Sequence, residues 1–317
     1  MRDDPSYMVR KSVLSSISRL KTGSLVLLGV SGGADSLALA AAVSSCGSPD
    51  VRFGAVIVDH GLQDGSGEVA AAAAEQCRAL SLDPVIEAHV HVIVGPGSGG
   101  LEQAARMARR RALLDAAEAH DASAIWLAHT ADDQAETVLL GLLRGSGPRS
   151  MAGMRVRDGI WERPLLGLRR DVVRASLAAY GIEPHEDPMN DDERFSRVRI
   201  RHSVLPVLEA ELGGHISDQL VRGAELFRDD TDALDAMAID AATLNLDELA
   251  ALPRALRTRV IRAALLEHGC LSPEKDHIDA VEHLALEPRA HGPVRVPGGL
   301  QVRKDRAERA LVIEPLR

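Results

Sequence analysis

Aromatic side chains are scarce in this chain of 317 residues, which holds two Trp, two Tyr and three Phe. Sheet sandwiches fill their pleated faces with aromatic and β-branched residues, so that scarcity, set against abundant alanine, argues for helices packed on a sheet. Cysteine is almost as rare. Cys46, Cys77 and Cys270 stand far apart with no C-x-x-C pair, which excludes a disulfide framework and a zinc knuckle. No apolar run is long enough to span a bilayer, and the opening "MRDDPSYMVRKSVL" carries acidic residues where a signal peptide needs a continuous apolar core. The expected compartment is the cytoplasm, with no membrane partner. Lysine occurs four times only, and a net charge of −9 argues against indiscriminate binding of polyanions. A local basic surface is still allowed: between residues 144 and 174 stand Arg144, Arg149, Arg155, Arg157, Arg163, Arg169, Arg170 and Arg174, against Asp158, Glu162 and Asp171.

What is present is a regular alternation. Strand-length apolar runs at 24–30, 51–60, 83–94 and 122–129 are each followed by a helical pattern, near 36–45, 67–80, 101–119 and 132–144. Such β-α alternation predicts an α/β fold with a doubly wound, mainly parallel sheet, whose ligands sit at the carboxyl ends of the strands. After Leu212 the pattern turns helical and ends in an expected β-hairpin with its turn at Pro297, Gly298 and Gly299. Length favours two domains. "ELGGH" (211–215) divides them in this reading, into a catalytic domain over 1–212 and a smaller, mostly helical domain over 213–317.

The first chemical motif is "LLGVSGGADSLALA" (27–40), an apolar strand, two glycines and an immediate helix start. Glycines bring backbone close to a ligand and a helix N-terminus offers unpaired N–H groups to an anion, so Ser31, Gly32, Gly33, Ala34, Asp35 and Ser36 make a phosphate cradle. The lysine of a Walker loop is missing, as is the spacing of a dinucleotide fingerprint. Two further stretches follow strands. "VDHGLQDGS" (58–66) places Asp59 and His60 at a strand end, and "LAHTADDQAETVLLGLLRGSG" (127–147) places His129 before a helix whose stripe Ala135, Val138, Leu139, Leu142 and Leu143 is expected to be buried, with Asp133 and Thr137 facing away. Asp132 suits a helix N-cap as well as a catalytic position.

The loop "SGGADS" resembles that of the N-type ATP pyrophosphatases, which split ATP between its α- and β-phosphates. With "LEQAARMARRRALL" (101–114), "ERPLLGLRRDVV" (162–173) and "EDPMNDDERFSRVRIRHSVLPVLE" (186–209) added, the chain is identified as a member of the tRNA(Ile)-lysidine synthase family over most of residues 24–212. Arg110, Met189 and Val198 depart from the residues common there.

The resemblance implies a Rossmann-like ATP pyrophosphatase domain and a C-terminal tRNA-binding domain. It implies ATP as cosubstrate, Mg2+ on Asp35 and Asp133, a tRNA(Ile) with a CAU anticodon as partner, and free L-lysine as second substrate. In the implied reaction, ATP adenylates the 2-oxygen of the wobble cytidine. The ε-amine of lysine then attacks C2 and AMP leaves. Asp35, Arg109, His129, Asp133, Asn190, Arg197 and Arg201 are the implied catalytic residues, Asp59 joins the phosphate loop in holding the nucleotide, and Glu136 is read as the lysine ligand. Arg197 and Arg201 share a face if their segment is helical, and Pro206 is expected to keep that helix short. The 144–174 arginines and the basic end Arg295, Arg303, Lys304, Arg306 and Arg309 are expected to hold tRNA phosphates. The rivals are a tRNA thiolase, a small-molecule amidating synthetase and a non-catalytic nucleotide- or RNA-binding protein of the same fold. The lack of any Cys pair weighs against the thiolase. Whether the chain works as a homodimer is left open.

Overall fold

A computed structural model of the chain describes residues 4–61, 65–92, 100–145, 147–185 and 192–316. The chain divides into two compact units, Met1–Ala224 and Glu225–Arg317.

The first unit opens with a helix that the strand alternation did not announce, α1 (Pro5–Ile17), whose start combines an Asp4 side-chain cap on Ser6 N with Pro at the first turn. The expected alternation follows: β1 (Leu25–Val30), α2 (Ala34–Cys46), β2 (Arg52–Asp59), α3 (Ser66–Ala79), β3 (Val85–His89), α4 (Leu101–Ala119), β4 (Ala124–Trp126) and α5 (Ala131–Leu143). After a short α6 (Pro148–Met151), β5 (Arg157–Asp158) and β6 (Trp161–Glu162) widen the sheet, and α7 (Arg170–Ser176) packs on α1 and α2. The sheet order is β3-β2-β1-β4-β6-β5, parallel except for the β5–β6 pair.

That order follows from composition. The strand "LVLLGV" is apolar on both faces and buried almost throughout, as a central parallel strand covered by helices on each side must be. "ADSLALAAAVSSC" is likewise apolar all round, so α2 is buried from Ser36 to Val43. The chain leaves β1 toward β2 on one side, while β4 pairs on the other. The loops after β1 and β4 therefore open into one crevice, the topological switch point of the sheet.

The α5 stripe is buried only in part. Ala135, Val138 and Leu139 are in the core, but Leu142 is 51% and Leu143 67% exposed. Ile200 and Leu205 cover Leu139, and no described element covers the last turn to the same degree.

Near the end of this unit, α8 (Ser196–Arg199) runs through a π-helical turn, Ile200–Val204, into α9 (Leu205–Leu212). The helix that carries Arg197 is short, as expected, but Pro206 does not end the helical run. It falls in the first turn of α9, where its missing N–H costs no hydrogen bond, and the π turn absorbs the offset before it.

The helix α10 (Ile216–Asp240) carries the division between the units. Unit two packs α11 (Leu246–Ala251), α12 (Arg254–Glu267) and α13 (Lys275–Leu286) with an antiparallel sheet around Leu249, Ile261, Leu265, Leu284 and Val302. The expected hairpin is β7 (Val294–Val296) and β8 (Leu300–Asp305), and β9 (Ala310–Pro315) extends it to three strands. No helix among the described residues is long and apolar enough to cross a membrane.

Candidate active site at the sheet switch point

The β1–α2 loop makes the tight turn its glycines permit. Gly32 lies at φ +79°, where an L side chain is strained, and an added Cβ would come within 3.4 Å of the Ala73 Cβ. Gly33 is the N-cap of α2 and supplies no side-chain cap, so the helix presents its first N–H groups uncovered, with Ala34 as the first helical residue. Ser36 closes the loop: its hydroxyl accepts from Ser31 N at 3.2 Å, donates to the Gly33 carbonyl at 2.8 Å and lies 3.4 Å from the Ser31 Oγ. Both serines flank the cradle, as their sequence positions suggested.

Across the crevice, Thr130 caps α5, and Asp133 completes a capping box by accepting from Thr130 N and Oγ1, each at 2.8 Å. The N-cap role considered for Asp132 thus belongs to Thr130. Asp132 instead caps a different helix: its Oδ2 accepts from Arg170 N at 2.7 Å, at the start of α7, whose own N-cap residue provides no side-chain bond. Its Oδ1 accepts from Arg169 at 3.0 Å.

This pinning of α7 aims Arg170 into the crevice. Its guanidinium lies 2.6 Å from Asp133, 3.2 Å from Glu136 and 3.5 Å from Asp35. Arg201 reaches Glu136 at 2.7 Å and Asp133 at 3.6 Å, and Arg174 stands 3.6 Å from Asp35. Arg197 donates to Thr137 Oγ1 at 3.1 Å, so the neighbouring α5 residues 136 and 137 receive Arg201 and Arg197 respectively. Arg170 and Arg174 were read from sequence only as part of a basic surface. The missed signal was position, a paired arginine at a helix start beside the apolar "PLLGL".

The two aspartates differ. Burial pushes Asp35 up, with Arg170 opposing. Burial also pushes Asp133 up, but Arg170, His129 and the Thr130 hydrogen bonds together outweigh it and hold that carboxyl below the ordinary value. Asp35 Oδ1 is buried without a hydrogen-bond partner. Two carboxylates therefore face the position of the Arg170 guanidinium, and one oxygen, ion-paired with Arg174, lacks a hydrogen bond; carboxylate oxygens are the donors Mg2+ takes. Glu136 is more enclosed than a ligand for an incoming ammonium need be: its side chain is 1% exposed and both oxygens accept from Arg201.

A second cluster is wholly cationic. Arg106, Arg109, Arg163 and Arg197 lie close enough for their charges to oppose one another, with Asp158 acting against this at Arg163. Crowding by neighbouring atoms and then Arg197 hold the Arg109 guanidinium below its ordinary value, although the residue is exposed. Burial lowers Arg106 as well, with Arg197, Arg109, Arg110 and Arg163 adding to it. Arg163 is 6% exposed and donates to the Arg155 carbonyl at 2.8 Å. Arg110 stacks its guanidinium over Trp161, 4.2 Å from the ring centroid. Val198 is simply buried. Asn190 and Met189 lie outside the described residues.

His129 sits between the clusters, its Nδ1 buried without a partner. Burial drives its pKa down to about 3, with Asp133 opposing and Arg163, Arg109 and Arg106 adding to the depression. The imidazole is therefore neutral at physiological pH. Below the ordinary value of about 6.5 the unfolded chain binds a proton that the folded site refuses, so this group's contribution to stability is whole above that pH and is lost as pH falls toward 3. Histidine NMR should show the ring of His129 still neutral at pH 5; titration near 6.5 would mean that the ring is solvated. Asp59 is the last residue of β2. It accepts from Gly61 N at 2.9 Å, bonds Ser66 and meets His89 at 3.3 Å, and the Gly61 bond leads in holding its carboxyl low. It staples the β2 loop. His60 beside it is lowered by burial and then by Arg109. No metal-binding group of three or more His, Cys, Asp or Glu occurs among the described residues.

The comparisons agree with this geometry. Residues 7–208 match the profile of a PP-loop domain, and residues 244–308 match that of a TilS substrate binding domain. A tRNA(Ile)-lysidine synthase of Leifsonia xyli subsp. xyli is 49% identical over 299 residues, covering 90% of this chain and 89% of that one. Another, of Thermobifida fusca, is 45% identical over 311 residues, 95% of each chain. Among solved structures, the U34-tRNA thiolase NcsA of Methanococcus maripaludis aligns with a TM-score of 0.57 at 20% identity, over 70% of this chain and 79% of its own, a likeness of fold.

Proposed function

The chain belongs to the tRNA(Ile)-lysidine synthase family, and from that premise we propose how its crevice divides the work of joining lysine to the wobble cytidine of a CAU-anticodon tRNA(Ile). The enzyme is a ligase that spends ATP to modify tRNA, releasing AMP and pyrophosphate. The observation that carries the assignment of roles is the convergence, at the β1/β4 switch point, of an uncapped phosphate loop, three carboxylates and a separate cationic wall.

The loop 31–36 receives the β- and γ-phosphates on backbone N–H groups, with Ser31 and Ser36 exchanging their mutual contact for phosphate oxygens. Asp35 and Asp133 would hold Mg2+, which would supply positive charge against the phosphates. Arg106, Arg109, Arg163 and Arg197 face the RNA: they screen its phosphates and steady the cytidine, which must leave its stack to reach the α-phosphorus. The cytosine 2-oxygen attacks that phosphorus and pyrophosphate departs. Lysine then brings its ε-amine to C2, the C2–N bond forms, a proton is lost and AMP leaves with the former 2-oxygen. Neutral His129, with an unpartnered ring nitrogen and a site that refuses it a second proton, positions the base by hydrogen bonding, and the proton leaves to solvent. Glu136 meets the lysine α-ammonium only by giving up Arg201, which turns to the lysine carboxylate. Asn190, Arg197 and Arg201 complete the catalytic set carried over from the family, and residues 213–317 form the tRNA-binding domain. Along that domain's last strands, a cleft of about 340 Å³ is lined by His291, Gln301, Arg303, Lys304 and Arg306.

A thiolase reading finds no support in the cysteines: Cys77 and Cys270 are buried, and burial raises the Cys77 thiol to about 11. The test of the proposal is direct. Purified protein with Mg2+, ATP, labelled lysine and an unmodified CAU tRNA(Ile) transcript should place lysidine at the wobble position, read by mass spectrometry of the digested RNA. Pyrophosphate release without lysine incorporation would move the acceptor amine to another compound.

A further inference from the structure

Three carboxylates, Asp35, Asp133 and Glu136, are held around one guanidinium, that of Arg170, whose side chain is 12% exposed. Two more arginines complete the set, Arg201 on Glu136 and Asp133 and Arg174 on Asp35. Three negative charges thus already face three positive ones. A divalent cation arriving alone would leave two surplus positive charges in a partly desolvated crevice, where such an imbalance is costly. A cation arriving with a polyphosphate is a different case, because the phosphate oxygens take over the arginines that the carboxylates release.

Two details show where the exchange begins. Arg170 Nε and Asp35 Oδ1 are both buried without a hydrogen-bond partner, and the Arg170–Asp35 contact is an ion pair at 3.5 Å with no hydrogen bond in it. The link to Asp35 is therefore the weakest of the three. The backbone of Arg170 is fixed independently, by Asp132 on its N–H, so the side chain can turn while the start of α7 stays in place.

We propose that Arg170 is a placeholder cation: it keeps Asp35, Asp133 and Glu136 assembled in the empty enzyme, blocks uptake of a free divalent ion, and yields to metal and nucleotide together. This rests on the reading of Asp35 and Asp133 as metal ligands. It makes metal and nucleotide binding strongly and reciprocally coupled, each weak without the other.

Mn2+ serves as the probe, its free form counted by electron paramagnetic resonance, with and without α,β-methylene-ATP, on the full chain, each against the same analogue without protein because a triphosphate itself binds Mn2+. The parent protein should bind Mn2+ weakly alone and far more tightly with the analogue. Arg170→Gln should gain about tenfold in nucleotide-free Mn2+ affinity and lose most of the coupling. Arg170→Lys, which restores a point charge without the fork, should fall between them and serves as the second variant if the glutamine form melts early by circular dichroism. Unchanged or weaker nucleotide-free binding in both variants, with Mn2+ still bound beside the analogue, would overturn the placeholder and leave the metal site standing. Failure of the parent protein to bind Mn2+ even with the analogue would remove the metal site itself, and the placeholder with it.

Discussion

Asp133→Asn should lower the rate of adenylation by about a thousandfold, roughly 4 kcal/mol of transition-state stabilisation, while tRNA binding should stay at the parent level. The substitution is nearly isosteric, and the amide oxygen still accepts from Thr130 N and Oγ1, so the start of α5 is kept. What disappears is the charge that Arg170 meets at 2.6 Å and that would hold Mg2+ with Asp35. Pyrophosphate release in the presence of tRNA measures the first effect and filter binding the second. Turnover equal to that of the parent would remove Asp133 from the metal site and return it to a purely capping role. Equal losses of tRNA binding and adenylation would mean that the crevice had lost its shape as well as its charge.

Glu136→Gln should destabilise the first unit by about 3–5 kcal/mol, because it leaves Arg170, Arg174 and Arg201 facing only Asp35 and Asp133 in a partly buried cluster. Glu136 is 1% exposed, and Arg170 and Arg201 both converge on its carboxylate. An amide keeps one acceptor oxygen but turns an N–H donor toward a guanidinium that can only donate. Differential scanning calorimetry should place the melting point lower by roughly 10 °C, given the size of the unit. Coupled replacement tests the mechanism: Glu136→Gln combined with Arg201→Gln should recover part of the loss, since the surplus charge goes with the second change. No recovery would mean that the cost lies in packing and not in the uncompensated arginine.

The alternation of apolar runs with helical patterns foretold the strands and helices from β1 to α5 to within a few residues, since periods of 2 and 3.6 are local properties. α1 escaped notice because it lies outside that alternation, and β5 and β6 because two-residue strands carry no period at all. The exposed Leu142 and Leu143 show the opposite error. Periodicity says which face is apolar, and the presence of a covering element is decided elsewhere in the chain.

The site divides in the same way. Ser31 to Ser36, His129 and Asp133 could be named from sequence because a glycine turn before a helix and a polar cluster after a strand are contiguous. Glu136 could be named too, but its environment could not: its partners lie 34 and 65 residues away. The same holds for Asp132, which caps a helix 38 residues downstream, and for Arg170, which composition alone counted as surface charge.

The sequence by itself determined the fold class, the phosphate loop and the family, because each is written in short windows whose backbone preferences and spacing are local. Only the tertiary structure decided which arginines face carboxylates and which gather with other arginines. A guanidinium's role depends on the charges within a few ångströms of it, and those are brought there by the crossing of the chain from β1 to β4.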